Sequence, residues 1–240
     1  MLVIVHLINR ELLVHLYSPI RPNLKNIILH PIRTIDRMEQ IYSEWLLFTD
    51  RFMMQEYWWL ASHMQKNTTV IDLGANIGDS SIYFAQFQNV RRVIACEPSP
   101  FAYSELVKKV EKCPLKAKIK PINVAVSNYH GKTELSLFRK NVIGLNALSE
   151  GDRGGIKVRI LPLATLIDKT SGPIAIKCDI EGGEELIFRE PMNKRVYGVM
   201  LEWHKQPRRI AARRDLEANG FSIKKDYNVS VNGGIMCAER

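Results

Sequence analysis

The chain has 240 residues, with 34 Lys or Arg against 25 Asp or Glu, a formal net charge of +9 and 46% hydrophobic residues. That length suits one α/β domain, and the apolar fraction excludes a disordered chain and is ample for a core. The four cysteines, Cys96, Cys113, Cys178 and Cys237, form no C-x-x-C pair and no Cys/His set with zinc spacing. This excludes a disulfide framework and a structural zinc site on spacing grounds, and it points to reduced thiols in the cytoplasm.

The first segment, MLVIVHLINRELLVHLY, is interrupted by Asn9-Arg10-Glu11 before it reaches the roughly 20 apolar residues of a membrane span, and it carries no small-residue cleavage site. It reads as an amphipathic helix or an edge strand. After Pro19, Pro22 and Pro31, helical spacing runs through Ile35, Met38, Ile41 and Trp45 and on to Met53, Tyr57 and Leu60. A helical extension is therefore expected over residues 1–66, ahead of a catalytic domain at 67–240. Trp45, Tyr57, Trp58 and Trp59 read as core at that spacing, with contact to a substrate as the alternative.

The most informative stretch is Thr68 to Phe84, TTVIDLGANIGDSSIYF. Val70, Ile71 and Leu73 predict a strand buried on both faces, and Gly74-Ala75-Asn76-Ile77-Gly78 breaks it before a helix begins near Asp79. Glycine and asparagine are the residues that tolerate the positive φ of a tight turn, so this loop is built for close contact with a ligand. A second strand, Arg92 to Cys96, ends at Glu97, which lies 19 residues past Gly78. That is near the offset of about 20 residues at which a carboxylate meets the ribose of a bound nucleoside. Asn76 stands where a dinucleotide fingerprint places its second glycine, so the loop suits a nucleoside without a pyrophosphate.

Strands and helices then alternate as a parallel sheet requires. The expected order is a helix over Phe101–Lys112, strand three over Ala117–Val126, and extra strands at Thr133–Phe138 and Ile156–Leu161 around a Gly-rich loop at 144–155. Strand four follows at Ile174–Asp179, with a short helix over Gly183–Phe188. Strand five covers Tyr197–Trp203, a helix Pro207–Asn219, and a closing pair Phe221–Tyr227 and Ile235–Glu239. Ligands in such sheets lie beyond the carboxyl ends of the strands. Asp179 and Glu181 end strand four, and Glu202 and His204 end strand five on one face by the two-residue period. Asp179 also reads as a helix cap, and the three acids as a weak site for a divalent cation. No metal is assigned.

The blocks VIDLGANIGDSSIYFA, VIACEPSPFAYSEL, INVAVSNYHGKTELSL, LATLID, IKCDIEGGEELIF and MLEWH, from about Thr68 to His204, resemble the FkbM family of class I S-adenosylmethionine-dependent methyltransferases. The resemblance implies a Rossmann-like α/β fold, with a mostly parallel seven-stranded sheet and an antiparallel C-terminal hairpin. It implies S-adenosylmethionine as cofactor, with Gly74, Asn76 and Gly78 around its amino-acid portion, Glu97 at the ribose, and Ser99 and Val124 near the adenine. Asp72, Asp79, Ser80 and Asp179 complete the expected cofactor set, and Asp179, Glu181 and His204 the catalytic one. Transfer to a hydroxyl of a sugar or other small metabolite is the implied reaction. Leading helices in related enzymes cover the cofactor or build the acceptor site.

The positive charge gathers in Lys205, Arg208, Arg209, Arg213, Arg214, Lys224 and Lys225, which reads as a solvated helix face or a site for an anionic acceptor. No RNA-binding motif accompanies it. An RNA methyltransferase and a non-catalytic nucleoside-binding module remain the alternative functions. A homodimer is compatible with the sequence, and no membrane span is expected.

Overall fold

The computed structural model describes residues 2–8, 11–17, 57–137, 146–148 and 155–240. Two compact units divide the chain, Met1–Met53 and Met54–Arg240. In the first, β1 (Leu2–Ile8) and β2 (Glu11–Tyr17) pair antiparallel in a two-stranded sheet. The helical extension expected over 1–66 therefore opens with strands. Their runs of Val, Leu and Ile favour a pleated backbone over a helix. The helical spacing expected at 35–56, Trp45 included, lies outside the described residues.

The second unit starts with helix α1, described over residues 57–62. Tyr57, Trp59, Leu60 and Met64 are buried, while Trp58 is exposed. Two of the three described aromatics thus belong to the core, Tyr57 packing on Phe84 at 5.5 Å between ring centroids. β3 (Thr68–Leu73) follows, every residue buried, and the chain turns into α2 (Asp79–Ala85). Next come β4 (Val90–Cys96), α3 (Pro100–Lys112) and β5 (Ile119–Ile122). Beyond these lie β6 (Ala125–Ser127), β7 (Gly131–Leu137), β8 (Asn146–Leu148), β9 (Ile156–Pro162) and α4 (Leu163–Asp168). β10 (Ile174–Cys178), α5 (Glu184–Ile187), β11 (Val196–His204), α6 (Gln206–Ala218), β12 (Ser222–Asn228) and β13 (Gly233–Glu239) complete the unit.

The main sheet has seven strands in the order β12-β13-β11-β10-β3-β4-β5, parallel except for β13, which runs against both its neighbours. Placing β13 between β11 and β12 gives the antiparallel closing hairpin that the resemblance implies. The sheet core joins Ile71, Ile94, Ile176, Phe188, Leu201 and Trp203. Fully burying side chains of this size is worth about 1.5–3 kcal/mol each. Such burial is what makes these strands read as continuous apolar runs.

The expected third strand, Ala117–Val126, is two strands in two sheets. β5 ends the main sheet and carries Pro121, which lacks an N–H and is tolerated at an edge. The chain then breaks at Asn123, whose amide nitrogen donates to the carbonyls of Glu97 and Pro98 at 2.8 and 3.1 Å. β6 departs into a second sheet of order β6-β9-β7-β8. Of the Gly-rich loop expected at 144–155, only 146–148 and 155 are described. Among the described residues no helix is long and apolar enough to cross a membrane.

Candidate active site

β3, β4, β10 and β11 run parallel, so their carboxyl ends open on one side of the sheet. There an open cleft of about 680 Å³ is lined by Gly74, Asn76, Glu97, Pro98, Val124, Asp179, Ile180 and Glu181, with Ala125, Val126 and Leu135 from the second sheet. Of the four described non-glycine residues with positive φ, Asn76 (49°), Glu181 (56°) and Lys205 (75°) all follow strand ends on this side. Strained backbone of this kind concentrates at functional sites.

Gly74 has φ 74°, and a Cβ there would sit 1.7 Å from the carbonyl oxygen of Asp179. Only glycine lets the β3 and β10 ends approach this closely. The loop is then held from both sides. Asn76 donates its backbone N–H to Glu97 Oε2 at 2.8 Å, and Ser99 donates to Oε1 at the same distance. Burial raises the Glu97 carboxyl above its ordinary range, with those two backbone bonds working against it. Each carboxylate oxygen retains acceptor capacity for a further donor.

Several of the expected cofactor residues brace the cleft from behind. Asp72 is fully buried and accepts hydrogen bonds from the hydroxyls of Ser80 and Ser81, each at 2.6 Å. Asp79 pairs with Lys109 across to α3. Ser99 caps α3 and is 1% exposed. Gly78, with φ 96°, forms the left-handed N-cap of α2 against Leu106. Gly74, Asn76, Glu97, Val124, Asp179 and Glu181 reach the cleft itself.

A polar cluster next to Asp179 and Glu181 centres on His204. Its Nδ1 lies 2.7 Å from Glu184 Oε1, and its Nε2 lies 3.2 Å from Glu181 Oε2 and 4.0 Å from Glu202 Oε1. Asp179, Glu181 and His204 place one donor atom each within 4.8 Å of one another. Burial works against charge on His204, but the Glu184 hydrogen bond and the charges of Glu181, Glu184 and Glu202 outweigh it and push the imidazole up to about 9. Burial, reinforced by Asp179, pushes Glu202 up to about 8. At neutral pH His204 is thus an imidazolium held between Glu184 and Glu181.

Two residues of the site were missed from sequence. Lys177, 2% exposed, lies under the Gly74 loop, and Glu184, fully buried, orients His204. A lysine inside the otherwise apolar strand IAIKC was the available signal for the first, because a buried charge requires partners. Glu184 had none beyond its place in a short helix.

Asn76 and Asp179 each carry a buried side-chain oxygen, Oδ1, without a hydrogen-bond partner. Both residues line the cleft, so it offers acceptors to a polar ligand that brings its own donors. Residues 72–223 match the methyltransferase FkbM domain. The chain belongs to the FkbM methyltransferase family. It is therefore a methyltransferase that uses S-adenosylmethionine. No curated protein matches the chain. Among solved structures it is similar to methyltransferase FkbM from Methylobacillus flagellatus, at 14% identity and TM-score 0.49, covering 71% of this chain and 42% of that one. It is also similar to an NADB-Rossmann superfamily protein from Streptococcus agalactiae, at 18% identity and TM-score 0.47, covering 77% and 67%. A third similar structure is TrmK from M. capricolum with S-adenosyl-homocysteine, at 14% identity and TM-score 0.45, covering 75% and 64%.

Proposed function

We propose that this FkbM methyltransferase methylates an oxygen, on a hydroxyl of a sugar or other small metabolite. The observation that carries the reading is that Asp179 and Glu181 line the same cleft as Gly74, Asn76 and Glu97, with His204 Nε2 3.2 Å from Glu181 Oε2. The cofactor supplies an electrophilic methyl on a sulfonium. Gly74 and Asn76 hold its amino-acid portion, Glu97 its ribose hydroxyls, and Val124 flanks its base. Asp179 and Glu181 orient the acceptor hydroxyl for in-line attack, and such positioning supplies much of a bimolecular rate. In a transfer of the methyl from sulfur to the acceptor oxygen, the hydroxyl proton would pass to His204 Nε2 once the imidazole is neutral. Glu184 holds the opposite nitrogen and so fixes the tautomer.

An acceptor screen with methyl-labelled cofactor tests this. The expected product is an O-methyl ether on a sugar or small alcohol. Methylated nucleosides in transfer or ribosomal RNA, or methyl groups on nitrogen or carbon, would refute it.

A further inference from the structure

We propose that Lys177 is a positioning residue for the cofactor, fastening the adjoining β3 and β10 ends at Gly74 and Asp179 and supplying the positive charge that balances the acids around them. The inference rests on the cleft being the cofactor site. Lys177 Nζ donates to the Gly74 carbonyl at 2.8 Å and lies 3.2 Å from Asp72 Oδ1 and 3.7 Å from Asp179 Oδ2. Register explains the reach, since Lys177 on β10 stands directly opposite Asp72 on β3. Gly74 and Asp179 line the cleft while Lys177 is 2% exposed, so the ammonium acts on the ligand only through them.

The groups facing it are acidic from every side: Asp72 of β3, Asp179 beyond β10, Glu97 after β4, Glu181, Glu202 of β11, and the Tyr57 hydroxyl of α1. The Tyr57 ring lies 5.9 Å from Nζ. Without the ammonium, the negative charge around Asp72 and Asp179 loses its balancing partner. S-Adenosylmethionine carries a sulfonium charge that S-adenosylhomocysteine lacks. The two ligands therefore report charge and positioning separately.

Calorimetry of the full chain with each ligand between pH 6 and 8.5 makes the test, on the parent, Lys177→Met, and the charge-balanced pair Asp72→Asn/Lys177→Met. Both variants should bind both ligands about tenfold more weakly or worse, because the Gly74 and Asp179 anchors are lost. Relative to the parent, Lys177→Met alone should show the sulfonium ligand favoured over S-adenosylhomocysteine by about tenfold. The pair should restore the parent's ratio. Parent-like affinity in either variant overturns the proposal, as does a loss in Lys177→Met that is equal for both ligands at every pH. If Lys177→Met does not fold, the pair alone decides by its affinity and its ratio. A parent that binds neither ligand instead refutes the cofactor reading of the cleft.

Discussion

His204 sits between two carboxylates that do different work. Glu184 is fully buried and fixes one ring nitrogen, whereas Glu181 stands at the cleft and is partly exposed. Acting as a base requires the neutral imidazole, and with the group pushed up to about 9 that form grows about tenfold per pH unit below this value. Turnover is therefore expected to climb from pH 7 towards 9 and then level off. Glu184→Gln removes the largest contact favouring the imidazolium and should move the rise to lower pH, as read in kcat/KM profiles and in the ring-nitrogen shifts of His204. A flat profile would transfer the proton to another acceptor. His204→Ala should lower turnover by about 10²-fold or more with cofactor affinity retained, while normal turnover there and a loss in Asp179→Asn would assign the base to Asp179. The same shift bears on stability. His204 is raised from 6.5 to about 9 and Glu202 from 4.5 to about 8, so the folded state binds more protons than the unfolded one across that window. Stability therefore falls as pH rises from about 4.5, steepest between about 6.5 and 8, and levels off above 9, lowering Tm in calorimetry; a Tm that rises over this interval would contradict the shifts.

At the scale of elements, the junction of β3 and β10 limits what the loop tolerates. Gly74→Ala combines a left-handed backbone, worth about 1–2 kcal/mol against a non-glycine residue, with a Cβ placed on the Asp179 carbonyl. The strands must separate to admit it. A loss well above 2 kcal/mol in denaturant unfolding is expected, with cofactor binding abolished; an unchanged Cm would show that the ends move freely. The elements legible in sequence were those with continuous apolar runs or glycine punctuation: β3, β4, β10, β11 and the loop between β3 and α2. Strand three was misread because its pattern runs unbroken through Asn123, where a side-chain amide bonded to the Glu97 and Pro98 carbonyls turns the chain into a second sheet. Helix α4 escaped because six residues carry too little periodicity. At the site, Gly74, Asn76, Glu97 and Asp179 were legible from the turn and the strand ends. Lys177 and Glu184 act through residues distant in sequence, which periodicity cannot reveal.

Over the whole molecule, the charge of +9 invites a polyanionic partner, yet the helix that concentrates it is largely occupied. Arg208 contacts Glu184 and Glu185, Arg209 and Arg213 both pair with Asp226, and Arg214 pairs with Asp215. Asp226 has a side chain only 6% exposed, so its two arginines fasten α6 to β12. An arginine committed to a nearly buried carboxylate cannot release a phosphate counterion without first breaking that pair. RNA binding through α6 should therefore remain in the non-specific range of about 10⁻⁴–10⁻⁶ M at physiological salt. Replacing Arg213, the more exposed partner of Asp226, with Gln should leave that affinity nearly unchanged while modestly lowering stability. Filter binding to transfer RNA across a salt series decides the matter, since each phosphate neutralised on a single strand contributes a slope of about 0.7. Tight binding with a steep slope that Arg213→Gln flattens, together with methylated nucleosides, would make α6 a nucleic-acid surface and RNA the acceptor.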